Sequence, residues 1–167
     1  YNRDHIVTLS YPSTLNDKYE AFRTELLTNS NVKNVGWSTR IPTGRLLDNM
    51  GASMMSGDTL APISADIKFV SADHDFIPTY GIKMAAGRNF SREFSTDTSS
   101  FLINEAAVKV LGFKKDEDVI GKDFGYGGRK GKRAGVFNDF HFESMHQKIA
   151  PLVLFMPRNA RNYGRIS

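Results

Sequence analysis

The chain has 167 residues, 40% of them hydrophobic and 24% charged, with a formal net charge of +4. That length holds one domain or two small lobes around a real core, and the mild basicity permits an anionic partner without requiring one. Cysteine is absent, which excludes disulfides, zinc–thiolate sites and cysteine nucleophiles, and no apolar run approaches the roughly 20 residues that span a bilayer.

Residues 5–10 read as a strand, with β-branched Ile6, Val7 and Thr8 in the middle. Ser13 or Thr14 is placed to cap a helix, and Leu15, Tyr19, Phe22 and Leu26 recur at helical spacing on one face. Residues 29–31 end that helix and residues 32–39 read as a second strand carrying Val35 and Trp37. This makes a strand–helix–strand unit. Residues 42–63 are rich in glycine, proline and methionine and read as a long loop or loose hairpin.

Further on, residues 65–71 form a strand, and residues 73–80 a short helix capped by Asp73 and ended by Gly81. Residues 82–85 are a short strand and 91–100 a polar loop. Phe101, Leu102 and Ile103 lead as a strand into Asn104, a helix cap, and the helix stops at Gly112. Residues 119–124 are extended, 125–131 a hairpin tip, 132–140 a strand, and Met145 and Ile149 belong to a short helix. Residues 152–156 are the last full strand, and another begins at Tyr163.

Several clusters invite a chemical reading. Asp139, His141 and Glu143 alternate, so in a strand they share one face, and His146 follows. Two histidines and a carboxylate suit a divalent metal. The histidine spacing, however, matches no established zinc pattern, and the competing reading is an aromatic strand whose polar residues cap the next turn. Met50, Met54 and Met55 offer soft sulfur for copper(I), against flexible loop or contact surface. Gly125 to Arg133 sets glycines among four basic residues but lacks the P-loop pattern. It reads as a β-turn with an exposed basic tip, open to weak contact with anionic lipid headgroups. There is no nucleophile elbow and no aromatic–basic platform for nucleic acid.

Four separated phrases resemble a known family. They are Asp75-Phe76-Ile77-Pro78-Thr79-Tyr80-Gly81-Ile82 leading to Gly87-Arg88-Asn89-Phe90; Leu102-Ile103-Asn104-Glu105-Ala106-Ala107 leading to Leu111-Gly112; Ile120-Gly121-Lys122; and Gly135 to Phe142 followed by Pro151. In order and spacing they resemble the MacB-like periplasmic core domain of FtsX/MacB-type ABC transporter permeases, in its Bacteroidetes-like version.

The resemblance implies an α+β fold of two lobes. One lobe is porter-like, built from strand–helix–strand units (residues 1–41 plus 141–167). The other is a mixed, sabre-like inserted lobe (residues 65–140), with 42–64 as connecting loop. It implies a domain on the periplasmic face of the bacterial inner membrane, between the first two membrane helices of a permease. Such a domain couples ATP-driven helix motion to substrate handling or efflux. The resemblance implies no enzyme activity, no cofactor and no nucleic acid. Its implied partners are an ABC ATPase subunit or domain, a second permease copy or pseudo-dimer mate, and a periplasmic adaptor or lipoprotein.

Asp75, Tyr80, Gly81, Gly87, Arg88, Phe90, Asn104, Glu105, Gly112, Gly121, Asp139, Phe140 and Pro151 are then structural positions. Relatives continue past the strand at Tyr163, so truncation and an open sheet edge near residues 6–9 are expected. The alternative is a ligand- or metal-binding sensor domain of another membrane protein, and a remoter one a metal-dependent hydrolase using His141 and His146.

Overall fold

The computed structural model describes residues 5–12, 14, 18–46, 48–143, 147–157 and 164–167. Among these, two sheets meet along a polar junction. The smaller is antiparallel, with β1 (Leu9–Ser10) and β2 (Trp37–Ser38) flanking β11 (Arg165–Ile166). Helix α1 (Tyr19–Leu27) lies over one face, where Tyr11, Tyr19, Val35, Trp37 and Ile166 form the core, with Phe22, Leu26 and Leu27 packed against it.

β1 stands at the outer edge of this sheet, and Val7 and Leu9 beside it are exposed. The first strand is shorter than its β-branched run predicts, because its partner β11 offers two residues of ladder and His5 adopts a positive φ of 63°. α1 also starts later than expected. Its N-cap is Lys18, with no side-chain cap, so Thr14 does not serve it; Ser13 and Leu15 lie outside the described residues.

The larger sheet has eight strands. Its elements are β3 (Ala52–Ser56), β4 (Thr59–Ile63), β5 (Lys68–Ser71), β6 (Met84–Gly87), β7 (Phe101–Asn104), β8 (Asp123–Tyr126), β9 (Arg129–Phe137) and β10 (Leu152–Phe155). The order is β4-β3-β8-β9-β7-β10-β5, with β6 pairing β9 off this path. The first half of β9 pairs with β8, while its second half is flanked by β7 and β6. β7 and β10 are buried on both faces, as a continuous apolar run in a covered sheet requires. Leu102, Leu154 and Val70 enter one core with Phe76, Phe137 and Phe140. Phe101, Ile103, Val153 and Phe155 enter the other with Phe124, Tyr126 and Val136.

The methionine-rich segment is a regular hairpin of this sheet. Gly57, at φ 61°, starts the turn, and β3 and β4 pair along five registered positions, so residues 52–63 are ladder rather than loop. β10 pairs β5 and β7 in the larger sheet, whereas β11 joins the smaller one, so the segment 141–167 contributes to both. β8 and β9 are joined by Gly127 and Gly128, both at positive φ, the requirement of a type I′ hairpin. The tip is thus these two residues, not the whole of 125–131.

Three further expectations shift. The extended piece over 119–124 divides into a 3-10 turn at Asp116–Val119 and the strand β8. Helix α2 (Phe76–Thr79) has Asp75 at its N-cap, whose side chain makes no capping bond to the helix. Asp73 instead accepts the Asp75 N–H, shaping the turn before the helix. β9 ends at Phe137, and its pairing with β6 closes one residue on, where the Asn138 N–H donates to the Lys83 carbonyl. Helix α3 (Glu105–Val110) follows β7 as expected, with Asn104 as its cap.

Candidate functional site at the junction of the two sheets

The junction is built from three places in the chain. α1 supplies Tyr19, Glu20 and Arg23; the turn between β5 and α2 supplies Asp73, His74 and Asp75; the segment after β6 supplies Arg92. The backbone brings them together. The Asp73 N–H donates to the Trp37 carbonyl at 3.0 Å, and the Thr39 N–H to the Ser71 carbonyl at 2.8 Å, so β2 is stitched to the end of β5. Gly36 lies so close to this turn that a Cβ would sit 3.1 Å from the Asp75 carbonyl carbon and from Thr79 Oγ1.

Asp75 receives both arginines, Arg23 Nε at 2.9 Å and an Arg92 terminal nitrogen at 2.7 Å. Burial alone would raise its carboxyl, but the hydrogen bonds and charges of Arg92 and Arg23 outweigh that and hold it below the usual carboxylate range. Arg92 also reaches Glu20 at 3.6 Å. Asp73 is almost fully enclosed and accepts the Tyr19 hydroxyl at 2.6 Å. Burial pushes it up to about 6, against the pull of the Tyr19 hydroxyl and with the negative charge of Asp75 adding to the rise. His74 is depressed, chiefly by burial and then by Arg92. Tyr80 closes the far side, its hydroxyl 2.7 Å from Ser167 Oγ. The cluster joins two sheets through charge and hydroxyl contacts.

The remaining motif residues brace the larger sheet. Arg88 grips Asp97 with two bonds, of 2.6 and 2.8 Å, and Asp97 also accepts the Ser91 N–H. This fixes the 3-10 turn of Ser95–Ser99, where the sequence suggested plain loop. Asn104 Oδ1 accepts the N–H groups of Ala107 and Leu152, while its amide donates to the Ala150 carbonyl. Glu105 accepts the Asp139 N–H at 2.6 Å, and Asp139 accepts the Ala106 N–H at 2.8 Å, a reciprocal clasp over the start of α3. Phe90 and Phe140 are buried, and the Pro151 carbonyl accepts the Lys68 N–H. Gly81, Gly87, Gly112 and Gly121 all have positive φ.

Asp139 is therefore spent on α3. Because β9 stops at Phe137, His141 and Glu143 do not continue its alternation; Glu143 turns to the Leu46 N–H. Among the described residues no group of three or more acidic, histidine or cysteine side chains converges as a metal site. His146 and Met145 lie outside them. Met50 and Met54 pack against the core while Met55 is exposed. The basic tip is largely absorbed. Arg129 donates to the Met156 carbonyl and stacks on Phe155, Lys132 pairs with Asp123, and Arg133 is buried between Phe113 and Phe124. Burial lowers Arg133 to about 10.

The sequence reading did not single out Tyr19, Arg23, Asp73 and Arg92 as a group. The available signal was the Asp73-His74-Asp75 run before an apolar helix, but Tyr19 and Arg23 lie 52 to 54 residues upstream of their partners and Arg92 lies 17 downstream of Asp75.

No family model matches the chain, and no curated protein matches it. Solved structures do share its fold. The periplasmic region of MacB from Actinobacillus actinomycetemcomitans aligns with a TM-score of 0.55 at 14% identity, over 88% of this chain and 62% of that one. A domain of a protein described as a permease, from Porphyromonas gingivalis, gives 0.52 at 18%, over 85% and 64%. The extracellular domain of the noncanonic ABC-type transporter YknZ from Gram-positive bacteria gives 0.55 at 14%, over 96% and 81%. The chain thus spans under two thirds of the first two structures. Its α+β fold is shared with the periplasmic region of MacB and the extracellular domain of YknZ.

Proposed function

We propose that this chain is a non-catalytic extracytoplasmic domain of an ABC transporter permease. In this reading it passes the motion of membrane helices, driven by ATP hydrolysed on a cytoplasmic ATPase, to substrate handling or export outside the membrane. The observation that carries the reading is the shared fold, which aligns along 96% of this chain with the extracellular domain of a transporter. The side-chain chemistry is in keeping with it. The motif residues clasp strands, cap α3 and join the two sheets, which are the tasks of a part that transmits movement. The smaller sheet with α1 takes the porter-like role and the larger sheet the sabre-like one. The permease is expected to work as a dimer or pseudo-dimer, with an adaptor or lipoprotein as outer partner.

The test uses the full-length protein. The chain has no cysteine, so one introduced at exposed Leu9 or Met55 is the sole thiol within these 167 residues, and any cysteine elsewhere in the full-length protein is first replaced by serine. In intact cells or spheroplasts a membrane-impermeant maleimide is expected to label it, and an ATPase subunit is expected to co-purify in detergent. Labelling only after lysis, or a full-length gene without membrane helices, would sink the reading.

A further inference from the structure

We propose that Asp73 and Tyr19 form an acid-tightened latch that sets how firmly α1 docks against the larger sheet. The latch goes beyond the transporter reading and does not rest on it, since it is a property of two units of one chain.

The geometry separates two carboxylates in one turn. Asp75 is 13% exposed at its side chain and takes both Arg23 and Arg92. Asp73 is 1% exposed, and among the described residues no cation forms an ion pair with it. Its two carboxylate oxygens accept the Tyr19 hydroxyl at 2.6 Å and the Asp75 N–H at 3.1 Å. An enclosed carboxylate without a counter-cation favours its neutral form. The charged and titratable groups that act on it are Tyr19 from α1, Asp75 from its own turn and, through charge alone, Arg92 from the segment after β6; Arg23 pairs with Asp75, Glu20 reaches Arg92, and His74 lies among these same charges. On the remaining side the Trp37 carbonyl of β2 accepts the Asp73 N–H.

Tyr19 is the hinge of the argument because it belongs to the docked helix. When α1 lifts away, Asp73 gains water, which lowers its affinity for a proton by more than the loss of the Tyr19 hydroxyl raises it. Docked, burial pushes it up to about 6, and exposure to water returns it toward the ordinary 3.8. The docked state is the tighter proton binder, so linkage adds most to docking below about pH 3.8. That gain is lost as pH rises to about 6 and is absent above it. Within the window the undocked population rises about tenfold per pH unit. His74 has the opposite sign: burial depresses it, so its protonation on acidification loosens the junction.

Amide hydrogen exchange of α1, corrected for the intrinsic pH dependence, tests this in a His74→Gln background, with β9 amides as reference. Between pH 4.5 and about 6 the α1 protection factor is expected to fall about tenfold per unit and then level off. Asp73→Asn, whose amide mimics the neutral acid, is expected to flatten the profile. Tyr19→Phe is expected to move the plateau to higher pH. A pH-independent α1, a ramp that survives Asp73→Asn, or an equal ramp in β9 would overturn the latch. If Asp73→Asn does not fold, a carbon-13 titration of the Asp73 carboxyl decides. A midpoint near 6 supports the latch, and one at or below 4 ends it.

Discussion

Arg23 and Asp75, 52 residues apart, meet at 2.9 Å across the boundary between the two sheets, one from α1 and the other from the cap of α2. The pair is mostly shielded from water, which makes its loss costly and its net worth modest, because desolvation of both ions offsets much of the attraction.

Removing the shared partner leaves Arg23 without its carboxylate and Arg92 with only the longer contact to Glu20. Asp75→Ala is expected to lower stability by about 2–4 kcal/mol. Arg23→Ala is expected to cost less, about 1–2 kcal/mol, because Arg92 still neutralises Asp75. Urea unfolding followed by Trp37, the one tryptophan of the chain and a member of the smaller core, reads both. Equal costs for the two variants would contradict the shared-acceptor geometry.

Asn104 satisfies three backbone groups from one amide. Asn104→Ala loses a helix cap and leaves the Leu152 N–H and Ala150 carbonyl without this partner, so about 2–4 kcal/mol is expected. The unfolding midpoint measures it, and a cost under 0.5 kcal/mol, the scale of a neutral surface change, would refute the bracing role.

Asp139 distinguishes capping from metal binding. As a cap it needs one oxygen to accept the Ala106 N–H. Asp139→Asn is therefore expected to be nearly neutral and Asp139→Ala to cost about 1 kcal/mol. Calorimetric titration of the parent protein with zinc is expected to show no stoichiometric binding. Binding abolished by His141→Ala would reverse this assignment.

Acid acts on Arg88–Asp97 opposite in sign to Asp73. Burial raises the Asp97 carboxyl, but the Arg88 bonds outweigh it and the result is depressed. A carboxylate depressed in the folded state adds stability above the ordinary value of 3.8, and that stability is lost as pH falls through the folded value. Thermal melting is expected to show this acid limb below about pH 4. Arg88→Ala, which leaves a carboxylate at 1% exposure without its cation, is expected to cost about 3 kcal/mol at pH 7. An unchanged acid limb in Asp97→Asn would count against the pair.

The legible parts of the fold were local. Asn104 before an apolar run is a cap from its side-chain chemistry alone, and Gly127-Gly128 is a tight turn from its freedom at positive φ. The β3–β4 hairpin carried a signal too. Gly57-Asp58 between Met54-Met55 and Leu60 is a two-residue turn candidate, masked by Pro62 and the three methionines. Illegible were the side-chain meetings over long separations. Asp139, two residues before His141, was open to a ligand reading beside the one in which the polar residues cap the next turn, and neither names its partner, the start of α3, 33 residues back. Arg133 looked like part of an exposed basic tip, although strand alternation carries it inward between Phe113 and Phe124.

Among the described residues β9 is the one strand that meets three partners, with β8 along its first half and β6 and β7 along its second. A pull along that strand loads its ladders in shear, so many hydrogen bonds share the strain together. A pull that parts the two sheets instead loads a few side-chain contacts and short backbone stitches one after another. Hydrogen-bond geometry thus sets the many parallel bonds of the larger sheet against the few contacts that join it to the smaller one, and a load that separates the sheets falls on Arg23, Asp73, Asp75 and the backbone bonds beside them.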